Sequence, residues 1–467
     1  MDKKNEIDTD VKNKQKATLR VAVTTAFITT FMGSALNLAI PDLGAYYHTS
    51  AAFIGWIVTA YMLAVATMSV PFGKIADMTG RRRILILGIF FFSFTSLTAI
   101  VAPNIYIMIM FRVIQGTSGA MIFATNTAIL ISAFPEDKRG EVLGKMTAST
   151  YVGLSAGPVL GGLLNHNFGW QSIFITTAAV GFFALITAIR RLPKKEHLVT
   201  ETKHDYAGNI FYVIMIVLTM YGISNITSMK FGWCCIAAGI TAGIIFVRVE
   251  LKAKNPVIQV RIFVKNMIYT LSNLAALLNY GATFAIGYLM SIYLQVVMGY
   301  SSQTAGIILI AQPAVMAFLS PVTGRLSDKK VEPYKLASAG MGVCSLCLLF
   351  FAYISADTPL WAIIAVLFCT GIGFALFSSP NTNAVMACVP QEKYSIASSI
   401  LATMRSLGHT SSMAVVTMIV SVYLGSKGLE NAEPDLLIET MHVAFLVFTG
   451  LCIAGLFMSL KRKKPAK

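Results

Sequence analysis

Gly73-Lys74-Ile75-Ala76-Asp77-Met78-Thr79-Gly80-Arg81-Arg82-Arg83 is a short basic stretch held between two long apolar ones. Its outline returns as Gly324-Arg325-Leu326-Ser327-Asp328-Lys329-Lys330, with the Gly and the Asp of both copies 251 positions apart. A repeat at that distance means a chain built from two related halves. Glycines at such a place permit a tight turn and close helix approach. Asp77 can accept hydrogen bonds at a helix N-terminus, where the macrodipole favours an anion. The arginines can pair with it or with a lipid phosphate.

Around this stretch the chain is 56% hydrophobic and only 12% charged over 467 residues. A soluble protein carries about 25% charged residues. Half that charge cannot cover a globular surface, and no polar linker divides the chain. A multidomain cytosolic enzyme and a disordered protein are excluded, and an integral membrane protein is expected. Fourteen apolar stretches of roughly twenty residues follow one another from 19–41 to 438–460. The repeated ten-residue alternation of a membrane barrel is absent, so the expected class is all-α.

Thirty-three of the 37 Lys and Arg fall in alternate loops and at both termini if the N-terminus is inside. This bias places both ends in the cytoplasm. The net charge of +16 is then a topology signal and not a nucleic-acid footprint. The N-terminal residues are polar and lack a secretory core, so no cleaved signal is expected. Seven cysteines lie in or beside apolar stretches and read as packing residues, Cys344 and Cys347 included, with no metal site. No GxxxxGK[ST], GxGxxG, HExxH or GxSxG is present, so neither an ATP-driven pump nor a cofactor is expected.

Several motifs in order resemble the major facilitator superfamily, and within it the fourteen-span drug:proton antiporters of bacteria. The Gly73–Arg83 loop is similar to that family's GxLaDrxGrrr. Arg112-Val-Ile-Gln115-Gly116 looks like RxxqG. Gly153-Leu-Ser-Ala-Gly157-Pro158-Val-Leu-Gly161-Gly162 resembles GxxxGPxxGG, and Trp170-Gln-Ser-Ile-Phe174 resembles WRWIF. Pro380-Asn381 and Met404-Arg405-Ser-Leu-Gly408 are similar to features of the second half.

The resemblance implies a major facilitator fold: two six-helix bundles (19–192 and 267–460), an inserted helix pair with its loops (193–266), and cytoplasmic tails (1–18 and 461–467). It implies a gate motif at Gly73, Asp77, Gly80, Arg81, Arg82, Gly324 and Asp328, latching the cytoplasmic side. It implies an antiporter motif at Gly153, Gly157, Pro158, Gly161 and Gly162, where small residues bring helices together and Pro158 favours a kink.

Arg112 lies within a span, where a cation is costly and marks a pathway; Arg405 is a second such case. With them, Asn37, Gln115, Phe374, Phe377 and Asn381 are expected along the substrate and proton pathway. One departure stands out. Aligning Phe31-Met32-Gly-Ser-Ala-Leu-Asn37-Leu-Ala-Ile-Pro41 on LDxTivnvALP puts Met32 where the family has a membrane-embedded aspartate. No Asp or Glu falls inside a span as bounded here. Either Asp42 or His409 carries the proton, or the substrate is an anion that neutralises Arg112 or Arg405, or the coupling differs.

The expected function is a secondary active exporter of amphipathic drug-like compounds, exchanged for protons by alternating access. The alternatives are an exporter of an anionic metabolite or lipid, with Arg112 and Arg405 as ligands, and a membrane sensor or scaffold that does not transport. Expected partners are a small-molecule substrate, protons and the lipid bilayer of the inner membrane, with no nucleic acid. A monomer is expected.

Overall fold

The computed structural model describes the chain except residues 1, 49–50, 194–204, 225–229, 254, 259, 330, 424–432 and 463–467. Among the described residues every regular element is helical. In order these are α1 Asp2–Ala35, α2 Ile40–Tyr47, α3 Ala51–Thr79, α4 Arg81–Ala99, α5 Ile105–Ala133, α6 Arg139–Phe168, α7 Gln171–Arg191, α8 Tyr206–Ser224 and α9 Lys230–Lys252. They continue as α10 Val260–Lys265, α11 Met267–Thr283, α12 Ala285–Ile292, α13 Ser302–Leu309, α14 Ala311–Lys329, α15 Pro333–Phe351, α16 Leu360–Met386, α17 Tyr394–Tyr423 and α18 Pro434–Leu460.

Eleven stretches among the described residues are long and apolar enough to cross a membrane. α1, α6 and α17 are not among them, although each has thirty residues or more. Their threonines, serines and glycines lower the hydropathy while leaving the helix intact. Buried hydroxyls are satisfied within the helix itself: Thr25 Oγ1 donates to Val21 O at 2.8 Å, and Thr29 Oγ1 to Thr25 O at 2.9 Å. Lipid offers no other partner, so such back-bonding is what makes these residues tolerable. α1 starts at Asp2, so much of the segment read as a tail is helical. The first apolar stretch is interrupted: after Ala35 comes a 3-10 turn, Leu36–Ala39, and then α2 with a proline in its first turn.

The chain forms two compact units. The first holds Met1–Lys203, Ser320–Lys329 and Val389–Ala402. Its core gathers Ile28, Phe31, Met32, Ile57, Tyr61, Phe92, Ile122 and Phe174 from α1, α3, α4, α5 and α7. Against this core, α6 offers a stripe of glycines four residues apart. A Cβ on Gly153 would lie 2.7 Å from Phe27 O; one on Gly157, 2.9 Å from Ala35 N; one on Gly161, 2.6 Å from Ala35 Cβ. α1 and α6 therefore touch backbone to backbone. Without a hydrophobic drive between helices in lipid, such close packing is what holds them. Gly162 beside the stripe is half-buried, and Pro158 lies in the middle of α6.

The second unit holds His204–Leu319, Lys330–Cys388 and Thr403–Lys467. Tyr212 of α8 and Thr403 of α17 share a hydrogen bond of 2.9 Å. α15 and α16 approach through Gly340 and Gly373: a Cβ on Gly340 would lie 2.7 Å from Phe377 N. The stretch from Met267 to Val297 is broken twice, between α11 and α12 and by a π turn at Tyr293–Val297. The Ala285 N–H at the first break donates to Ser412 Oγ of α17 at 3.2 Å.

Candidate functional site

The basic loop Gly73–Arg83 is mostly helix. α3 runs through Asp77 to Thr79, Gly80 turns the chain, and α4 opens on Arg81. Gly80 has φ of 115°, a conformation that a side chain would strain, so glycine is required there. Asp77 is buried. Its carboxylate accepts the backbone N–H of Ser395 at 3.3 Å and of Ile396 at 3.1 Å, in the first turn of α17. Arg81 Nε binds Asp77 Oδ1 at 2.9 Å and Ser395 Oγ at 3.0 Å, Nη1 binds Ser132 Oγ at 3.1 Å, and Nη2 donates to Gln391 O. Arg82 donates to Ile189 O at 2.7 Å. Gly73 packs on Ser399 and Ser395.

The second copy does the same to a different helix. Asp328 at the end of α14 accepts the N–H of Gly140 at 2.7 Å and of Glu141 at 2.9 Å, in the first turn of α6. The Gly324 carbonyl lies against Gly140. Arg325 Nη2 meets Glu141 Oε1 at 3.0 Å, and Lys145 Nζ meets the same oxygen at 2.7 Å. These two cations, Arg325 first, push the Glu141 carboxyl down to about 2. Each Asp thus caps the helix start that belongs to the other half of the sequence, satisfying orphan N–H groups with a charge the macrodipole favours.

The capped helix starts also repeat, which the loop motif alone does not reveal. Pro135-Glu-Asp-Lys-Arg-Gly140 and Pro390-Gln-Glu-Lys-Tyr-Ser395 each form a 3-10 turn leading into α6 or α17. Tyr394 lies under the guanidinium groups of Arg81 and Arg139, 5.7 Å from each. A search for a second repeat would have found Pro135 and Pro390.

Deeper in the first unit, Arg112 of α5 is almost fully buried. Its Nε donates to Ile57 O at 2.9 Å and its Nη1 to Gln115 Oε1. Gln115 Nε2 donates onward to Ser96 Oγ at 2.6 Å. The guanidinium stands 4.4 Å from the centroid of the Tyr61 ring. The structure thus joins Arg112 and Gln115, and adds Tyr61 and Ser96, which no motif singles out. Gly116 makes room for this: a Cβ there would lie 2.8 Å from Ala64 Cβ and closer still to Tyr61 O.

Met32 is not on this polar path. It is fully buried in the apolar core, with Thr177 Oγ1 at 3.5 Å from its sulfur. Asp42 is exposed in α2 and accepts from Asn165 Nδ2. Asn37 lies in the 3-10 turn after α1, its side chain outside the described residues. A cavity of about 410 Å³ opens between α1, α6 and α7, lined by Phe27, Phe31, Leu164, Phe168, Thr176 and Thr177. Its lining includes none of the residues expected on the pathway.

In the second unit, Tyr280 of α11 collects the other expected residues. The Arg405 guanidinium stands 6.0 Å from its ring centroid. The ring of Phe374 is 6.3 Å away, that of Phe377 6.1 Å and that of His409 5.5 Å. His409 also stacks on Phe284 at 4.1 Å, and Tyr280 Oη lies 3.2 Å from Ser378 Oγ. Arg405 and His409 are half-buried. Asn279 beside Tyr280 is fully buried, and its amide makes no hydrogen bond to another described residue. The break between α11 and α12 falls at Phe284, within this cluster. Asn381 is not in it; its Nδ2 donates to Ser272 O at 3.2 Å and its Oδ1 accepts from Arg462 at 2.7 Å.

The arrangement offers aromatic faces beside a cation, with few hydrogen-bonding groups. It can hold flat, partly apolar molecules and does not assemble a nucleophile with a base.

The model of the Major Facilitator Superfamily matches residues 22–413 and 274–467. The riboflavin transporter RibZ of Clostridioides difficile is 29% identical over 93% of this chain and 94% of its own. The multidrug resistance protein Stp of Mycobacterium tuberculosis is 27% identical over 86% of this chain and 75% of its own. Among solved structures, the human organic anion transporter MFSD10 (TETRAN) superposes with a TM-score of 0.67, at 12% identity, over 95% of this chain and 99% of that one.

Proposed function

The chain belongs to the major facilitator superfamily, and from that premise we propose that it exports amphipathic drug-like compounds across a cytoplasmic membrane in exchange for protons. As a member it is a multi-pass membrane transporter of small molecules and not an enzyme. In this reading it has fourteen spans, with both termini cytoplasmic: bundles 19–192 and 267–460, and the inserted pair within 193–266. It works as a monomer in the inner membrane, without a nucleic-acid partner.

The observation that carries the reading is the glycine stripe of α6 seated on the α1 backbone. It gives a physical purpose to the sequence pattern that resembles the antiporter motif. Relatives named for multidrug resistance support the substrate class. The Asp77 and Asp328 caps supply contacts that form and break during alternating access. The proton carrier in this reading is His409 or Asp42, since Met32 takes the place of the family's aspartate.

A second reading is favoured by the cluster at Tyr280. Arg405 over the Tyr280 ring, with the rings of Phe374, Phe377 and His409 packed on Tyr280, suits a flat anion as well as a neutral drug. A relative named for riboflavin fits such a shape. In this version Arg112 and Arg405 are the anion ligands and need no acid.

Everted vesicles decide between them. Under the first reading, adding ethidium to energised vesicles releases protons, and Arg112→Ala abolishes the response. Under the second, ethidium does nothing, while an anionic dye is taken up saturably. If cationic, neutral and anionic probes all fail to move in vesicles with the folded protein, both readings fall.

A further inference from the structure

The sequence places Lys461–Lys467 in a solvated basic tail, yet Arg462 is fully buried. It follows the end of α18 and turns back into the second unit. Nη1 donates to Ser272 Oγ of α11 at 3.1 Å and to Asn381 Oδ1 of α16 at 2.7 Å. Nη2 donates to Ser459 Oγ of α18 at 2.7 Å, and Ser459 shares a 2.6 Å bond with Ser338 of α15. One guanidinium therefore joins three helices directly, and a fourth, α15, through Ser459. Among the described residues its Nε finds no partner, and no Asp or Glu forms an ion pair with it.

A buried cation without a countercharge is an unusual choice. An apolar residue of similar size would hold the helices at least as well, because desolvating the charge offsets much of what its bonds contribute. Burial lowers the Arg462 guanidinium to about 10, which reflects that cost. It follows the C-terminus of α18, where the helix dipole favours a cation. The result is a set of strong directional bonds with a small net stability. Such a balance suits a contact that must open.

Its position on α16 gives the opening a use. Asn381 directly follows Pro380, which lies inside the helix and removes one of its hydrogen bonds. Phe374 and Phe377, on the other side of Pro380, belong to the ring cluster around Tyr280.

We propose that Arg462 is a clasp: it holds Asn381–Met386, the segment of α16 beyond Pro380, onto α11 and α18, and its release frees that segment to bend at Pro380 and so reposition Phe374 and Phe377. Arg462 is a positioning residue in this scheme, acting through Asn381. It does not depend on the identity of the substrate or on the coupling ion.

Hydrogen exchange on the detergent-solubilised full-length protein tests it. Arg462→Ala should speed exchange in the peptide spanning 381–388 by about tenfold, the loss of a charged hydrogen-bond set, while peptides of α4 and of α5 stay unchanged. Asn381→Ala should reproduce that pattern, and the double variant should add nothing further. Arg462→Lys, which keeps the charge but loses the planar fork, should lie in between and serves if the Ala variant does not fold. Unchanged exchange at 381–388 overturns the clasp. So does a uniform rise across all helices, which would make Arg462 a general support, and so does additivity of the two substitutions.

Discussion

Asp328 reaches across 188 positions of sequence to accept the Gly140 N–H at 2.7 Å, and Gly140 can have no side chain because Asp328 and Gly324 fill that place. The carboxylate and the glycine require one another. Asp328→Asn keeps the shape but removes the charge, and should lower stability by about 1–2 kcal/mol, the worth of a helix cap held by a charged group. Asp77→Asn should cost more, because Arg81 also loses its ion pair. Thermal unfolding in detergent measures both. Negligible losses would mean that the caps do not hold the helix starts; equal losses would mean that the Arg81 pair adds nothing.

The stripe on α6 predicts a repair as well as a lesion. In Gly157→Ala the new methyl meets Ser34 Oγ and lies 2.9 Å from Ala35 N. Overpacking of this kind costs about 1–3 kcal/mol. Adding Ser34→Ala removes the tightest of three clashes, leaving Ser34 Cβ at 2.7 Å and Ala35 N, and should restore part of the lost stability and folded yield. Size-exclusion profiles of the single and double variants show whether it does.

Arg112→Ala leaves Ile57 O and Gln115 without a donor, and a buried polar group left unpaired costs about 1–3 kcal/mol. Arg112→Lys keeps the charge but cannot serve both acceptors in one plane. Transport should vanish in the first and fall about tenfold in the second, measured by drug resistance in efflux-deficient cells at matched expression. Full activity of Arg112→Lys would show that charge alone matters.

Glu141 supplies a pH signature. Its folded carboxyl titrates near 2, held there by Arg325 and Lys145, whereas an unfolded glutamate titrates near ~4.3. A lowered folded value contributes stability that is complete above the unfolded value and lost as pH falls through the folded one. The difference in Tm between wild type and Glu141→Gln should therefore be constant from neutral pH to about 5 and shrink toward pH 2. With a quarter of the side chain exposed, the difference stays below about 1 kcal/mol. A difference that grows on acidification contradicts the bridge.

Met32→Asp, which would put back the family's acid, should not restore proton coupling. The position is sealed in the apolar core, where the Thr177 hydroxyl donates to the Met32 sulfur at 3.5 Å. An Asp there should cost several kcal/mol and lower the yield of folded protein. A stable variant with a new pH dependence of transport would place Met32 beside water after all.

Much of this was legible from residues alone. The helical class follows from hydropathy, and the loop repeat identifies Asp77 and Asp328 because a 251-residue offset is visible in any single sequence. What they bind was not legible. Backbone N–H groups carry no sequence signature, and only the fold brings residues 140 and 328 together. Arg462 was hidden for a different reason: among five basic residues at the C-terminus it looks like one more solvated charge. Tyr61 was hidden among 17 tyrosines, since a ring earns its role from the arginine above it. The three helices that fell short of a hydropathy criterion, α1, α6 and α17, are ones whose small polar residues do specific packing or bonding.

α14 and α17 each cross the border between the two units, at Leu319/Ser320 and at Ala402/Thr403. Neither border is a loop. The first falls one residue before Pro321, inside a helix that continues to Lys329. Lengthening a loop will be tolerated far better than inserting a single residue into α14 or α17, because the insertion would rotate everything beyond it by a third of a turn.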